Sequence, residues 1–457
     1  MNAPLFDALS ALARRDPVRL HMPGHKGRMT GPFSQVSALD FTELPPTGNL
    51  YEGLGPVREA EALFASLGGA RDALLFSCGA TQGIQTMLLA GVGAGGTLIL
   101  SRGCHQSVYH AMALLDIRPV FLLPPEDPDT GLTAPVTPEL LARALEDHPE
   151  AAAALVTSPD YYGVRTDLAP LAALCHDRGA FLLVDQAHGA HFPFVGLPTA
   201  AQEGADLCVV SAHKTLPALG SSSVLYVGTD APWDALTLKS LSALFATTSP
   251  SWPILASIDH ARASLLSENT YPAAAALVSE LRRRIPEETP FLPLTETPEA
   301  ALDPCRLTVD TGSAGLSGLE ADRLLRARDI FVEMADDRYL VAIVTCRDRK
   351  EDLERFLTAL KQLPAGARAV PAPLPSLPVP PVRRSLRQAL LGPREQTVLA
   401  HAAGRISAQT IAPYPPGIPV ILPGEEITEK HIAYLQKKSY NILGNVYVVP
   451  QDKEASP

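Results

Sequence analysis

Val209-Val210-Ser211-Ala212-His213-Lys214-Thr215 follows a second apolar run, Phe181-Leu182-Leu183-Val184, which stops on Asp185-Gln186-Ala187-His188. Each run is short and aliphatic and ends abruptly on a polar residue, the pattern of a parallel strand buried on both faces. In open α/β sheets ligands bind outside the carboxyl ends of the strands. An acid, two histidines and a lysine therefore sit where such a sheet does chemistry. Asp185 precedes Lys214 by 29 residues, room for one crossover and one strand.

A lysine able to form a Schiff base and an acid able to pair a pyridinium nitrogen are the two protein groups that pyridoxal phosphate (PLP) chemistry requires. Singly, each has a plainer reading: a solvated loop lysine, and an Asp serving a turn or helix cap. What favours the chemical reading is a phosphate-cradle candidate upstream, Ser77-Cys78-Gly79-Ala80-Thr81-Gln82-Gly83. It follows the strand-like Ala73–Phe76 and opens the helix-like Ile84–Leu89. Small residues at a strand-to-helix turn let backbone N–H groups approach an anion, and the helix N-terminus adds a favourable field. The segment lacks both GxxxxGK[ST] and GxGxxG, so neither a nucleoside triphosphate nor a dinucleotide is indicated. Gly91–Gly96 is glycine-rich but precedes a strand instead of following one, and reads as a helix stop.

The 457 residues, 46% of them hydrophobic, give ample core for about two or three domains. A formal charge of −11 argues against a nucleic-acid or anionic-membrane partner and mildly favours a cationic substrate. No stretch approaches the roughly 18 uninterrupted apolar residues of a membrane span. The N-terminus lacks a signal-peptide pattern, so a cytoplasmic location is expected. Six scattered cysteines with no CxxC read as reduced thiols, mostly in cores.

Residues 1–56 read as an N-terminal helix and interface segment. Helical and short apolar segments alternate over 57–260, the signature of a mostly parallel seven-stranded sheet wrapped by helices. Its expected strands are Leu74–Phe76, Thr97–Leu100, Val120–Leu123, Ala154–Thr157, Phe181–Val184, Leu207–Val210 and Ser223–Val227. A smaller α+β domain follows over 261–363, opening with a long helix Arg262–Arg284 and carrying strands Arg306–Thr311, Ile330–Ala335 and Tyr339–Thr345. Residues 364–384 are too proline-dense for helix or central strand and read as an extended linker; residues 385–457 form a C-terminal domain.

At these residues the chain resembles the PLP-dependent ornithine/lysine/arginine decarboxylase family, of aspartate-aminotransferase-like fold type I. The resemblance runs through His21-Met22-Pro23-Gly24-His25-Lys26-Gly27, Thr47–Leu50 with Gly55–Ala60, the Cys78–Gly83 turn and Arg102–Ser107. It continues through Ser158-Pro159-Asp160-Tyr161-Tyr162-Gly163, Asp185–His191, Ser211–Lys214, Thr247–Pro250 and Tyr414–Glu426. It implies that Lys214 carries PLP, that Asp185 pairs the pyridine nitrogen, and that His105 stacks on the ring. Ala80, Thr81 and Ser211 would bind the phosphate, completed by Thr247 of the neighbouring subunit in an obligate homodimer with shared sites. His213 would lie against the cofactor as a candidate proton donor. His188 stands where long-form members carry a different aromatic residue, and would contact the cofactor. Too few residues precede His21 for the N-terminal domain of long-form enzymes, so a short-form member is expected. After Lys214 the loop Leu216–Ser223 lacks the Gln that many relatives place before its second serine.

The activity so implied is decarboxylation of arginine, lysine or ornithine, with arginine favoured. Three rivals remain open at this point, one of them a non-catalytic scaffold that kept the fold, which the presence of every cofactor-contacting residue type weakens. An aminotransferase or lyase of the same fold would clamp the α-carboxylate with an arginine, for which Arg306 and Arg338 are the candidates. A metal site would need His188…His191 or His21…His25 as ligand pairs; the Pro-Gly inside the second breaks the helix that such spacing requires, and no metal is expected.

Overall fold

The computed structural model describes residues 2–298, 300–366, 377–412, 419–437 and 444–451. The prolines of the expected linker between 367 and 376, and the Tyr414–Gly417 turn, lie outside the described residues. Seven strands form the central sheet: β1 (Asp72–Phe76), β2 (Thr97–Ser101), β3 (Arg118–Leu122), β4 (Ala151–Thr157), β5 (Phe181–Asp185), β6 (Leu207–Val210) and β7 (Ser223–Val227). Their spatial order is β1-β7-β6-β5-β4-β2-β3. Every pairing is parallel except the two made by β7, which runs antiparallel to β1 and β6. A short return after Lys214 is what turns β7 around.

The strands are apolar on both faces because both faces are covered. On one side Leu74, Leu98, Leu155, Leu183 and Val209 bury against Ile84, Met87 and Leu88 of the helix Gly79–Gly91 and Val108 and Met112 of Gln106–Leu115. On the other, Leu75, Ile99, Leu182 and Val210 share a core with Leu5 and Leu9 of helix Pro4–Arg14 and with Val57 and Phe64 of Pro56–Gly68. Each such side chain contributes about 2 kcal/mol through area removed from water. Gly83 sets how closely its helix approaches the sheet: a Cβ there would meet Val209 Cγ2 at 2.5 Å.

The expected long helix Arg262–Arg284 is two helices, Trp252–Glu268 and Tyr271–Glu288. Asn269 caps the first in the left-handed conformation, and Pro272 stands in the first turn of the second, a stop and a start that outweigh the continuing apolar periodicity. The smaller sheet pairs Arg306–Asp310 with Tyr339–Ile343 and with Leu292–Pro293. The expected strand Ile330–Ala335 contracts to Met334–Ala335. Further along, Arg102 is held by both oxygens of Glu425 at 2.6 Å, tying the C-terminal residues to the loop that carries His105.

Candidate active site

The carboxyl ends of β1, β2, β4, β5 and β6 open on one cleft of about 390 Å³. Ala80, Thr81, His105, Asp185, His188, Ser211, His213 and Lys214 all line it. Thr247 does not; it is exposed, and its carbonyl accepts a hydrogen bond from Tyr51 Oη at 2.8 Å.

Lys214 projects from the single helical turn Ala212–Thr215 that follows β6. Its Nζ lies 3.1 Å from His188 Nε2 and 5.7 Å from the centre of the Tyr161 ring. Burial lowers the lysine's pKa, against the raising influence of Asp185 and Glu333. Asp185 ends β5, is buried, and accepts Ala187 N–H on Oδ1 at 3.1 Å. That turn points its carboxylate into the cleft alongside Lys214.

Three histidines surround the lysine, each oriented by a different partner. His105 caps the helix Gln106–Leu115: its Nδ1 accepts Ser107 N–H at 3.2 Å and meets Ser107 Oγ at 2.8 Å. Burial lowers its pKa. His213 Nδ1 lies 2.9 Å from the Ser222 carbonyl. His188 Nδ1 lies 3.0 Å from Arg306 Nη2, and its ring centre is 4.8 Å from that of Tyr161. Burial pushes the His188 pKa well down, and the charges of Lys214 and Arg306 add to the effect.

The opposite wall is the start of helix Gly79–Gly91. Gly79 has φ +76°, and a Cβ there would meet nothing within 4 Å; its own N–H donates to the Ser221 carbonyl at 2.7 Å, which leaves the following N–H groups for an anion. The first N–H groups of a helix have no acceptor within it, and Thr81 adds a hydroxyl. Thr157 Oγ1, also on the cleft, is buried without a partner. An amine, a carboxylate beside it, and a helix start at the far wall fit pyridoxal phosphate in its three functional parts: aldehyde, ring nitrogen and phosphate.

No arginine lines the cleft among the described residues. Arg306 is 1% exposed and spent on His188 and the Tyr161 carbonyl at 3.1 Å. Arg338 holds Asp310 through Nε and Nη2 at 2.9 and 2.7 Å and the Thr130 carbonyl through Nη1. Arg306 Nε is buried without a hydrogen-bond partner, but neither side chain reaches the cleft lining. The paired histidines also diverge: His191 goes to Asp303 at 2.9 Å and His25 to Asp40 at 3.1 Å. His191, Asp303 and Cys305 offer ligand atoms within 4.8 Å of one another. However, Asp303 is already engaged by His191 and Cys305 N–H, and Arg306 approaches it to 4.0 Å, which disfavours a further cation there.

Two participants escaped the sequence reading. One is Arg306 as the partner of His188. The other is Asp160, which lines the cleft, accepts Val164 N–H at 2.8 Å and is pushed up to about 6 by burial. The sequence holds only a partial signal for Arg306: it is a charge in the strand-like run Cys305-Arg306-Leu307-Thr308-Val309, and a charge buried on a strand demands a partner, whose identity the run does not give.

Comparison with known proteins agrees with this architecture. The family model for the Orn/Lys/Arg decarboxylase major domain matches residues 3–285, and that for the C-terminal domain matches 377–441. The chain is 33% identical over 462 residues to the arginine decarboxylase of Bacillus anthracis, covering 95% of this chain and 93% of that one. It is 33% identical over 461 residues to the arginine decarboxylase of Bacillus subtilis strain 168, with the same coverage. A solved lysine decarboxylase of Francisella novicida superposes with a TM-score of 0.81 at 19% identity, over 98% of this chain and 80% of that one; at that identity the likeness is one of fold.

Proposed function

Because the chain belongs to the Orn/Lys/Arg decarboxylase family, we propose that it removes the α-carboxylate of arginine, yielding agmatine and carbon dioxide. The observation that carries this over an aminotransferase is the cleft lining. Among the described residues it offers no arginine to hold an α-carboxylate, while Asp160 and Asp185 outnumber its one lysine. A carboxylate that must leave is better left without a charged clamp, since such a contact stabilises the ground state and is lost on the way to products.

Pyridoxal phosphate, held by Lys214, Asp185 and the start of helix Gly79–Gly91, would supply the electron sink for the bond that breaks. The chain's own residues do the rest. Asp185 keeps a negative charge at the inner end of the site. Asp160, the acid not placed beside Lys214, takes the distal guanidinium of the substrate. The reaction consumes one proton, delivered to Cα in place of the carboxylate. His213 can deliver it from Nε2 only as the imidazolium, because its Nδ1 proton is committed to the Ser222 carbonyl; Lys214 is the alternative donor. The six unpaired cysteines fit a reducing cytoplasm, and no helix among the described residues is long and apolar enough to cross a membrane.

The test is release of carbon dioxide and amine from arginine, lysine and ornithine. Arginine is expected to have the highest kcat/KM. Asp160→Asn should raise KM for arginine by about tenfold or more, the loss of a charge-assisted contact of roughly 1.5–3 kcal/mol. Transamination without carbon dioxide release would overturn the reading.

Two copies are proposed to share their sites, Thr247 reaching the partner's phosphate. In support, Val18, Leu20, Phe33 and Leu244 are 81, 91, 61 and 72% exposed, apolar surface of the kind a partner covers. Mixing inactive Lys214→Ala with inactive Thr247→Asp should restore activity under subunit exchange. A mixed dimer then has one site with both lesions and one with neither. No recovery between folded variants would refute sharing.

A further inference from the structure

We propose that Arg306 is a positioning residue: it fixes the single proton of His188 on Nε2 and thereby holds Lys214 as the free amine. The inference rests on the reading above only in taking Lys214 as the reacting lysine.

A guanidinium donates hydrogen bonds and accepts none. Arg306 Nη2 lies 3.0 Å from His188 Nδ1, so Nδ1 must present its lone pair. A ring that accepts at Nδ1 is not imidazolium, and its one proton is on Nε2. That N–H points at Lys214 Nζ, 3.1 Å away. An ammonium has three donors and no lone pair, so the contact is a hydrogen bond only when Lys214 is unprotonated. The unprotonated amine is the nucleophile.

Arg306 is built not to move. It is 1% exposed, its Nη1 donates to the Tyr161 carbonyl, and Asp303 stands 4.0 Å away. Gly163, at φ +92°, leaves it room: a Cβ there would lie 2.5 Å from Arg306 Cγ. The other groups facing Lys214 pull both ways. Asp185 and Glu333 favour the ammonium, while burial and Arg306 favour the amine, and burial is the largest influence. His105 and the Tyr161 ring complete the surroundings. His213 gives the contrast: bonded to a carbonyl that can only accept, it carries its proton on Nδ1. Side chains of one type are thus set to opposite tautomers by partners with no choice of role.

Two readouts independent of turnover test this on the full-length protein stripped of cofactor. Trace acetylation with acetic anhydride across pH, read by mass spectrometry, gives the titration of each lysine. Lys214 is expected to titrate at least about one pH unit below the exposed Lys350. Arg306→Gln, whose amide oxygen can accept a proton from Nδ1, should raise the Lys214 midpoint by about one unit, roughly a tenfold loss of labelling near neutral pH. Arg306→Lys, which keeps charge and donors, should retain most of the wild-type behaviour. Nitrogen-15 spectra of histidine-labelled wild-type protein need no variant to fold: His188 should show an unprotonated Nδ1 and a protonated Nε2 through neutral pH. A protonated Nδ1, or a folded Arg306→Gln protein with the wild-type Lys214 midpoint, overturns the proposal. Failure of the underlying reading looks different: added PLP, fixed with borohydride, would be found on another lysine while the His188 proton stayed where it is assigned.

Discussion

Lys214→Ala should leave a folded protein with no measurable decarboxylation, a loss of about five orders of magnitude or more, as when a covalent nucleophile is removed from an enzyme. The fold has little at stake. Lys214 occupies one turn of helix in which alanine is at least as well accommodated. Its polar contact is to His188 Nε2, a neutral ring that Arg306 still holds from the other side. The change in unfolding free energy should therefore stay within about 1 kcal/mol, and a thermal melt close to wild type makes lost activity a statement about chemistry. The decisive readout is covalent. Wild-type protein treated with PLP and borohydride should carry the cofactor on the peptide containing Lys214, and the variant should carry none. Retention on another lysine would reassign the nucleophile.

Much of this was legible because both the sheet and the chemistry are written locally. Asp185 ends one apolar run and Lys214 follows the end of another by four residues, and an apolar run that stops on a polar residue is a strand and its carboxyl end at once. All seven strands of the central sheet follow from short apolar runs, although those of β3 and β7 stop on Pro124 and Gly228 and not on a polar side chain. The direction of β7 was not legible: Ser223–Val227 is as apolar as its parallel neighbours, and only the length of the return after Lys214 distinguishes it. The break at Asn269 was written in the sequence but overridden, since the apolar spacing of Arg262–Arg284 continues across it while Asn269-Thr270-Tyr271-Pro272 spells a cap and a start. Arg306 belongs to another class. Its contact with His188 spans 118 residues and depends on how the smaller sheet leans on the larger, which no local pattern encodes. The same holds for Glu425, whose bidentate grip on Arg102 crosses 323 residues and sets the C-terminal residues against the approach to His105.

Asp185→Asn separates charge from shape at the inner end of the site. Asparagine has nearly the same volume, and its side-chain oxygen can still accept the Ala187 N–H that Asp185 Oδ1 accepts at 3.1 Å. The end of β5 should therefore keep its geometry. What disappears is a negative charge in a buried position, where its interaction with a cationic ring nitrogen is poorly screened and worth several kcal/mol. At 1.36 kcal/mol per decade, kcat for arginine should fall by roughly two to four orders of magnitude. Capture of PLP on Lys214 should survive, because bond formation at the amine does not require a protonated ring. The amine itself should become easier to deprotonate: Asp185 is the leading influence that raises the Lys214 pKa, so removing its charge moves the midpoint of Lys214 labelling to lower pH. Slow turnover, intact capture and that downward shift together are the signature of a ring-pairing acid. Near-normal turnover in a folded Asp185→Asn enzyme would mean that a different acid keeps the proton on the ring.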